Sequence, residues 1–213
     1  MGIFVSDTIN FPCVVELTQA VWSVDVPLDG GCEISIRVST DGISFTDWVR
    51  LYDNNIPEEY SRCVAMQYRV RLVQGSSLIS PVFHHIEFTY LMDIPSARII
   101  SPHEPNMITS CQCQLLQYII TSGSPPFVES ARVMINGVIF GPDGFSLRAD
   151  TLSFTPSYPC FENGEIVRTS LINLINTDGC GIREGIERTF LVDLTPPEIT
   201  GTNPAPGSML SGE

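Results

Sequence analysis

The chain has 213 residues, a formal net charge of −13 and an apolar fraction of 43%. Binding to nucleic acid requires clustered positive charge, so this acidic balance argues against nucleic acid as a partner. All 11 basic residues are arginines, which removes any Schiff-base or P-loop lysine, and no apolar run approaches the roughly 18 residues of a membrane span.

Strand patterns dominate residues 1–93. Aliphatic and polar residues alternate over 33–39, and the same period of two recurs over 66–72 and 86–92. This period places the aliphatic side chains on one face of each strand and the polar side chains on the other. Asp41-Gly42 predicts a hairpin turn after the first of these strands. Strands with one polar face predict an antiparallel β-sandwich.

Residues 94–195 also consist of short strand patterns, about seven at regular spacing, separated by turn signals. Asn136-Gly137 between two aliphatic runs is a strong hairpin signal. Further turn clusters lie at 141–144 and 162–164. The predicted fold class is therefore all-β, with two consecutive antiparallel β-sandwich domains.

Two proline-containing stretches divide the chain. Asp193–Ile199 resembles Asp93–Ile99, about one hundred residues earlier, which is the size of one β-sandwich. The recurrence predicts domains at 1–93 and 94–195. Residues 196–213 are then a linker and the first strand of a truncated third module, and we expect the chain to be a segment of a longer protein.

In the first domain Trp22 is followed by a glycine-rich turn, the segment Ile36–Gly42, Phe45 and Trp48. On these residues the domain resembles the discoidin-like, galactose-binding-like jelly rolls over residues 2–92. The resemblance implies a jelly-roll sandwich that binds sugars or lipids through its loops or a concave face.

The second domain contains four characteristic segments, 133–137, 152–156, 164–167 and 190–193. On these segments it resembles the bacterial Ig-like modules that are strung in tandem through large exported surface proteins. It departs from that family at Asp178-Gly179, where a Gly-Asn pair is usual. The resemblance implies an Ig-like sandwich with an extracellular or cell-surface location.

Sugar binding usually needs a flat aromatic ring together with polar hydrogen-bonding groups. Burial in the core is the competing interpretation for the two tryptophans. Likewise, Arg37, Arg69 and Arg71 either line a binding face or belong to a solvated strand face. The candidate ligand-binding residues are Trp22, Trp48, Tyr52, Tyr60 and His84.

The seven cysteines contain no CxxC pair, so we predict no zinc site. They are either buried thiols in a reducing cell or disulfides in an exported protein, and the resemblance to exported modules favours disulfides. Cys180 then has Cys160 or Cys113 as its predicted partner. The disulfide candidates are Cys111, Cys113, Cys160 and Cys180.

Carboxylates near the junctions raise the question of calcium, which binds about six to eight oxygen ligands. These residues are Asp93, Asp178, Asp193 and Glu198, and no DxDxDG loop accompanies them. We therefore interpret them as solvated turn residues and predict no cofactor.

No HExxH, GxSxG or GxGxxG motif is present, so the chain is not predicted to be an enzyme. The sequence predicts a non-catalytic segment of a secreted or cell-surface multimodular protein, acting as a spacer and in carbohydrate or surface binding and adhesion. A glycan or cell-surface polymer and the neighbouring modules of the same chain are the expected partners. The alternative is a set of ancillary modules of an extracellular enzyme, such as a glycoside hydrolase or protease.

Overall fold

A computed structural model describes residues 1–76, 79–157 and 160–198. Over these ranges the chain is all-β, as predicted, and its helical content is limited to two short 3-10 turns, Glu58–Tyr60 and Pro142–Gly144. Within them no helix is long and apolar enough to cross a membrane. The strand predicted to open a third module begins at Ile199 and lies outside the described residues.

Residues 2–92 form one six-stranded sheet with the order β4-β3-β5-β2-β6, in which β1 also pairs with β5. All pairings in this sheet are antiparallel. The strands are β1 (Gly2–Val5), β2 (Ile9–Asp25), β3 (Gly31–Ser39), β4 (Val49–Leu51), β5 (Arg62–Val73) and β6 (Val82–Met92).

The long strand β2 folds this sheet over its own core. β2 pairs with β5 from Ile9 to Glu16. Beyond Glu16 its strand partner is β6, and a single bridge joins Gln19 to Asn55 on the other edge. Register shifts interrupt both ladders, and such bulges bend a strand. The predicted inward residues of β3 are buried, and Trp22 and Phe88 of the β2–β6 ribbon pack against the same core. Two layers therefore enclose one core.

Residues 96–192 form two further sheets, with the orders β11-β10-β14-β15-β8 and β12-β13-β9-β7. A second core of buried residues, which includes Tyr118, Leu171 and Phe190, joins strands of both sheets. The strands are β7 (Ser96–Ser101), β8 (Met107–Thr109), β9 (Leu116–Thr121), β10 (Pro126–Ile135), β11 (Val138–Phe140), β12 (Phe145–Arg148), β13 (Thr151–Phe154), β14 (Ile166–Asn176) and β15 (Ile186–Val192).

Two strands in this region, β8 and β12, were not predicted, and one pairing departs from the antiparallel expectation. β8 pairs with β15 in parallel, with Ile108 opposite Leu191. Pro102 and Pro105 lie between β7 and β8. Because proline lacks the backbone donor of a ladder, the chain leaves the β9 edge there and continues along the other sheet.

The two glycine turns predicted in the sequence have different outcomes. Asn136 and Gly137 have φ values of 48° and 84° and join β10 to β11, as the hairpin signal predicts. Asp41-Gly42 also lies between two antiparallel neighbours, β3 and β4, and Gly42 has a φ of 76°, but the connection spans residues 40–48 and is much longer than a two-residue turn. There Asp41 Oδ1 accepts bonds from the backbone N–H groups of Ile43 and Ser44, which stabilises a longer loop.

Replacing Gly137 by alanine should destabilise the second core by about 1 kcal/mol, because a side chain disfavours its φ of 84°. Thermal unfolding measures the effect. Gly141→Ala is the matched control, since neither glycine has an atom within 4 Å of the added Cβ and Gly141 has a φ of −86°. Equal effects of the two substitutions would contradict the prediction.

Candidate functional site

The structure does not gather the predicted ligand-binding residues into one site. Trp22 and Tyr60 are partly buried and pack against the first core, which agrees with the competing interpretation for Trp22. His84 Nε2 lies 2.9 Å from Asp25 Oδ2. Trp48 and Tyr52 instead flank β4, where both contact arginines.

Strand register places most arginines of the first region on one side of its sheet. Arg71 lies opposite Glu33, and Arg69 lies opposite Ser35. On the other edge of β3, Arg50 lies opposite the same Ser35. Directly paired residues share a face, and the core-facing residues of β3 alternate with this set. We call this outer surface the arginine face, defined by Arg37, Arg50, Arg69, Arg71 and Trp48.

Aromatic rings hold the guanidinium groups of this face in place. The guanidinium carbons of Arg37 and Arg69 each lie 4.8 Å from the ring centroid of Trp48. Arg37 also lies 4.9 Å from the centroid of Phe45, and Arg50 lies 5.2 Å from that of Tyr52. Such cation–π contacts are worth about 0.5–1 kcal/mol each at exposed sites. The face is therefore ordered before any ligand binds.

The charges of the arginine face are unbalanced. Glu33 accepts from Arg50 through one carboxylate oxygen and from Arg71 through the other, each at 3.0 Å. Arg37 donates instead to the neutral Gln67, and Arg69 has Ser35 Oγ as a long contact of 3.5 Å. Within the described ranges, neither Arg37 nor Arg69 has a carboxylate in ion-pair contact. Four arginines against one glutamate leave a positive surface on an acidic chain.

A second polar cluster lies where the strands of residues 2–92 meet those of residues 96–192. The Cys13–Cys180 disulfide joins β2 to the loop after β14, across a sequence separation of 167. The backbone N–H of Val14 donates to the carbonyl of Asp178 at 2.9 Å. Both contacts fix β2 of the first core to the end of β14.

Asp178 connects the two regions through its side chain as well. Arg62 Nη2 of β5 donates to Oδ1 at 2.7 Å, and Ser124 Oγ donates to Oδ2 at 2.6 Å. The side chain of Asp178 is only 16% exposed, whereas that of Arg62 is 60% exposed, so the carboxylate is shielded from water while the guanidinium remains partly solvated. These residues line a cleft of about 350 Å³ between the two regions.

Asp93 forms the third junction contact. Its carboxylate accepts from the backbone N–H groups of Gly123 and Ser124, and its carbonyl accepts from Asn176 Nδ2 at 2.7 Å. These hydrogen bonds, above all the one from the backbone N–H of Gly123, hold the pKa of Asp93 below the ordinary aspartate value. The described residues contain no cluster of three or more His, Cys, Asp or Glu suited to a metal ion.

Acid should weaken this contact. The pKa of Asp93 is lower in the folded chain than in the unfolded chain, where it is about 4. The ionised carboxylate therefore stabilises the fold fully above the unfolded-state pKa, and this contribution is lost as the pH falls through the folded-state pKa. We expect Asp93→Asn to lower the melting temperature at pH 7, and we expect this difference to shrink progressively as the pH falls below about 4. Asp143→Asn, at an exposed position, is the control. A melting difference between wild type and Asp93→Asn that stays constant across this pH range would contradict the expectation.

The disulfides differ in part from those predicted. Cys113 is bonded to Cys160, and both were among the disulfide candidates. The prediction that Cys180 pairs with Cys160 or Cys113 is wrong, because Cys180 is bonded to Cys13. Cys111 is a free, exposed thiol rather than a disulfide partner, because Cys160 is bonded to Cys113 and Cys180 to Cys13. Two disulfides indicate a non-reducing environment.

The three free thiols should differ in reactivity. Burial raises the pKa of Cys63 to about 11, so few Cys63 thiolates form at pH 8, whereas Cys111 is exposed. Iodoacetamide should therefore modify Cys111 at least tenfold faster than Cys63 in the folded chain. Non-reducing peptide mapping with mass spectrometry measures both this ratio and the disulfides. Equal labelling, or a Cys13 found as a free thiol, would contradict the structure.

Comparison with models of known protein families and with curated protein sequences gives no match.

Proposed function

We propose that this chain is a non-catalytic, load-bearing segment of a secreted or cell-surface multimodular protein. The discoidin-like and Ig-like resemblances of its two regions, and its two disulfides, support an exported protein built from tandem modules. The chain would act as a spacer that also presents a binding surface to a glycan or cell-surface polymer.

The Cys13–Cys180 disulfide is the observation that carries this proposal. A covalent bond between residues near the two ends of the described chain lets tension bypass the strands between them. Only the residues outside 13–180 can then extend under load. Arg62, Asp178 and Asp93 add non-covalent contacts beside the bond, so the two cores meet at a fixed junction.

Single-molecule stretching from the N-terminus to the C-terminus tests the spacer role. In the Cys13→Ala/Cys180→Ala variant, unfolding should let the chain between positions 13 and 180 extend, a sequence separation of 167 residues. The 47 residues that Cys113–Cys160 still closes into a loop cannot extend. The remaining roughly 120 residues correspond to about 430 Å of added length. The oxidised wild-type chain should lack this release.

Reductant provides the matched control, because it should convert the wild-type trace into one that is longer still. A wild-type chain that releases the full length under oxidising conditions would contradict the load-bearing role. A variant that shows no added release would contradict it equally.

A further inference from the structure

The arginine face carries more positive charge than its one glutamate, Glu33, neutralises. Four of the five arginines of residues 1–92 lie on it, although this region carries more acidic than basic residues. The side chains of Arg50 and Arg71 are 45% and 42% exposed. Charge complementarity therefore favours an anionic occupant.

Glu33 shows which anion this surface accommodates. Its carboxylate lies between Arg50 and Arg71, with one oxygen 3.0 Å from each. Arg37, on the other side of Ser35 from Glu33, forms a comparable pair with Arg69, and there Trp48 contacts both guanidinium groups without a carboxylate. A ligand carboxylate would bind between Arg37 and Arg69 as Glu33 binds between Arg50 and Arg71, since guanidinium and carboxylate match in shape and charge.

The surroundings of the arginines favour a sugar polymer. Tyr52 is 85% exposed and presents a flat ring beside Arg50, which suits the apolar face of a sugar ring. Ile3 and Val5 of β1 lie opposite Arg71 and Arg69 and are 57% and 45% exposed, so the face ends in an apolar edge. Nucleic acid has a much denser charge and would be repelled by the remaining acidic surface.

We propose that the arginine face binds an acidic polysaccharide through its uronate carboxylates. Arg37 and Arg69 bind one carboxylate directly, Trp48 positions these two guanidinium groups, and Tyr52 contacts an adjacent sugar ring. This assignment deepens the proposed surface-binding role and rests on it. The load-bearing role is tested separately by stretching, so either can fail alone.

Alginate, a polyuronate, is the probe, and affinity electrophoresis of the full chain at low salt is the measurement. We expect wild-type protein to be retarded by alginate and not by neutral dextran, with the retardation decreasing as salt rises. Arg37→Gln/Arg69→Gln should weaken binding at least tenfold. The matched control is Arg98→Gln/Arg148→Gln, which removes the same charge from exposed positions on a different sheet and should bind as wild type does.

A second variant keeps the test decisive if the double substitution perturbs folding. Glu33→Gln removes the carboxylate that pairs with Arg50 and Arg71 and should strengthen alginate binding several-fold, an effect that loss of structure cannot produce. Failure of wild type to bind alginate, equal losses in the two double variants, or weaker binding by Glu33→Gln would each overturn the proposal. Equal retardation by polyglutamate or by DNA would overturn the assignment to a polysaccharide.

Discussion

Replacing Cys13 and Cys180 together by alanine is expected to lower the free energy of unfolding by about 4 kcal/mol. The bond closes a loop with a sequence separation of 167, and a long loop gains the most conformational entropy in the unfolded chain when its crosslink is removed. Urea unfolding of the oxidised proteins, followed by circular dichroism, measures the change.

Cys111→Ala is the control for this experiment, because Cys111 is exposed and forms no disulfide. It should change stability by less than about 0.5 kcal/mol. If the double alanine variant unfolds at the wild-type urea concentration, the bond does not constrain the chain, and the junction would depend on its polar contacts alone.

Phe190→Ala is expected to cost about 4 kcal/mol in the second core. Phe190 is fully buried on β15, and its ring packs edge-on against Phe161 at 5.6 Å between centroids. The truncation removes apolar contact area and leaves a cavity between the two sheets. Ile166→Ala on the neighbouring strand is the control, because Ile166 is 64% exposed.

Tryptophan fluorescence tests whether the two cores unfold separately. Both tryptophans, Trp22 and Trp48, lie in the first region, so their fluorescence does not report the second core directly. Phe190→Ala should move the circular-dichroism transition to lower urea and move the fluorescence transition much less. A common shift of both signals would show that the two cores unfold as one unit.

Local patterns in the sequence predicted much of the fold. The alternation around Ile34–Val38 predicted the buried side of β3, and Asn136-Gly137 predicted the hairpin between β10 and β11. Both predictions succeeded because each feature depends only on residues that are neighbours in the sequence. The parallel pairing of β8 with β15 could not be found this way. The pairing depends on the path of the chain after Pro102 and Pro105, and β8 has only three residues, too few for a periodic signal.

The junction between the two regions was also hard to predict, because its contacts join residues that are far apart in the sequence. Cys13 and Cys180 belong to different predicted domains, and spacing alone cannot select a partner 167 residues away. Arg62 carries no motif and acquires its role only from the nearby Asp178. For the arginine face, the sequence did place Arg37, Arg69 and Arg71 on strands, but the contact of Trp48 with two of them requires the loop between β3 and β4.

The distance between one label on each side of the junction tests the central claim of a fixed, covalently closed segment most directly. Spin labels on Cys111 and on an Ile43→Cys variant, with Cys32 replaced by serine, mark the two regions, since Cys111 and Ile43 are both exposed. Pulsed electron paramagnetic resonance should give one narrow distance distribution for the oxidised chain. The same labels in the Cys13→Ala/Cys180→Ala background should give a broader one. A broad distribution with the disulfide intact would contradict the fixed junction and, with it, the proposed spacer.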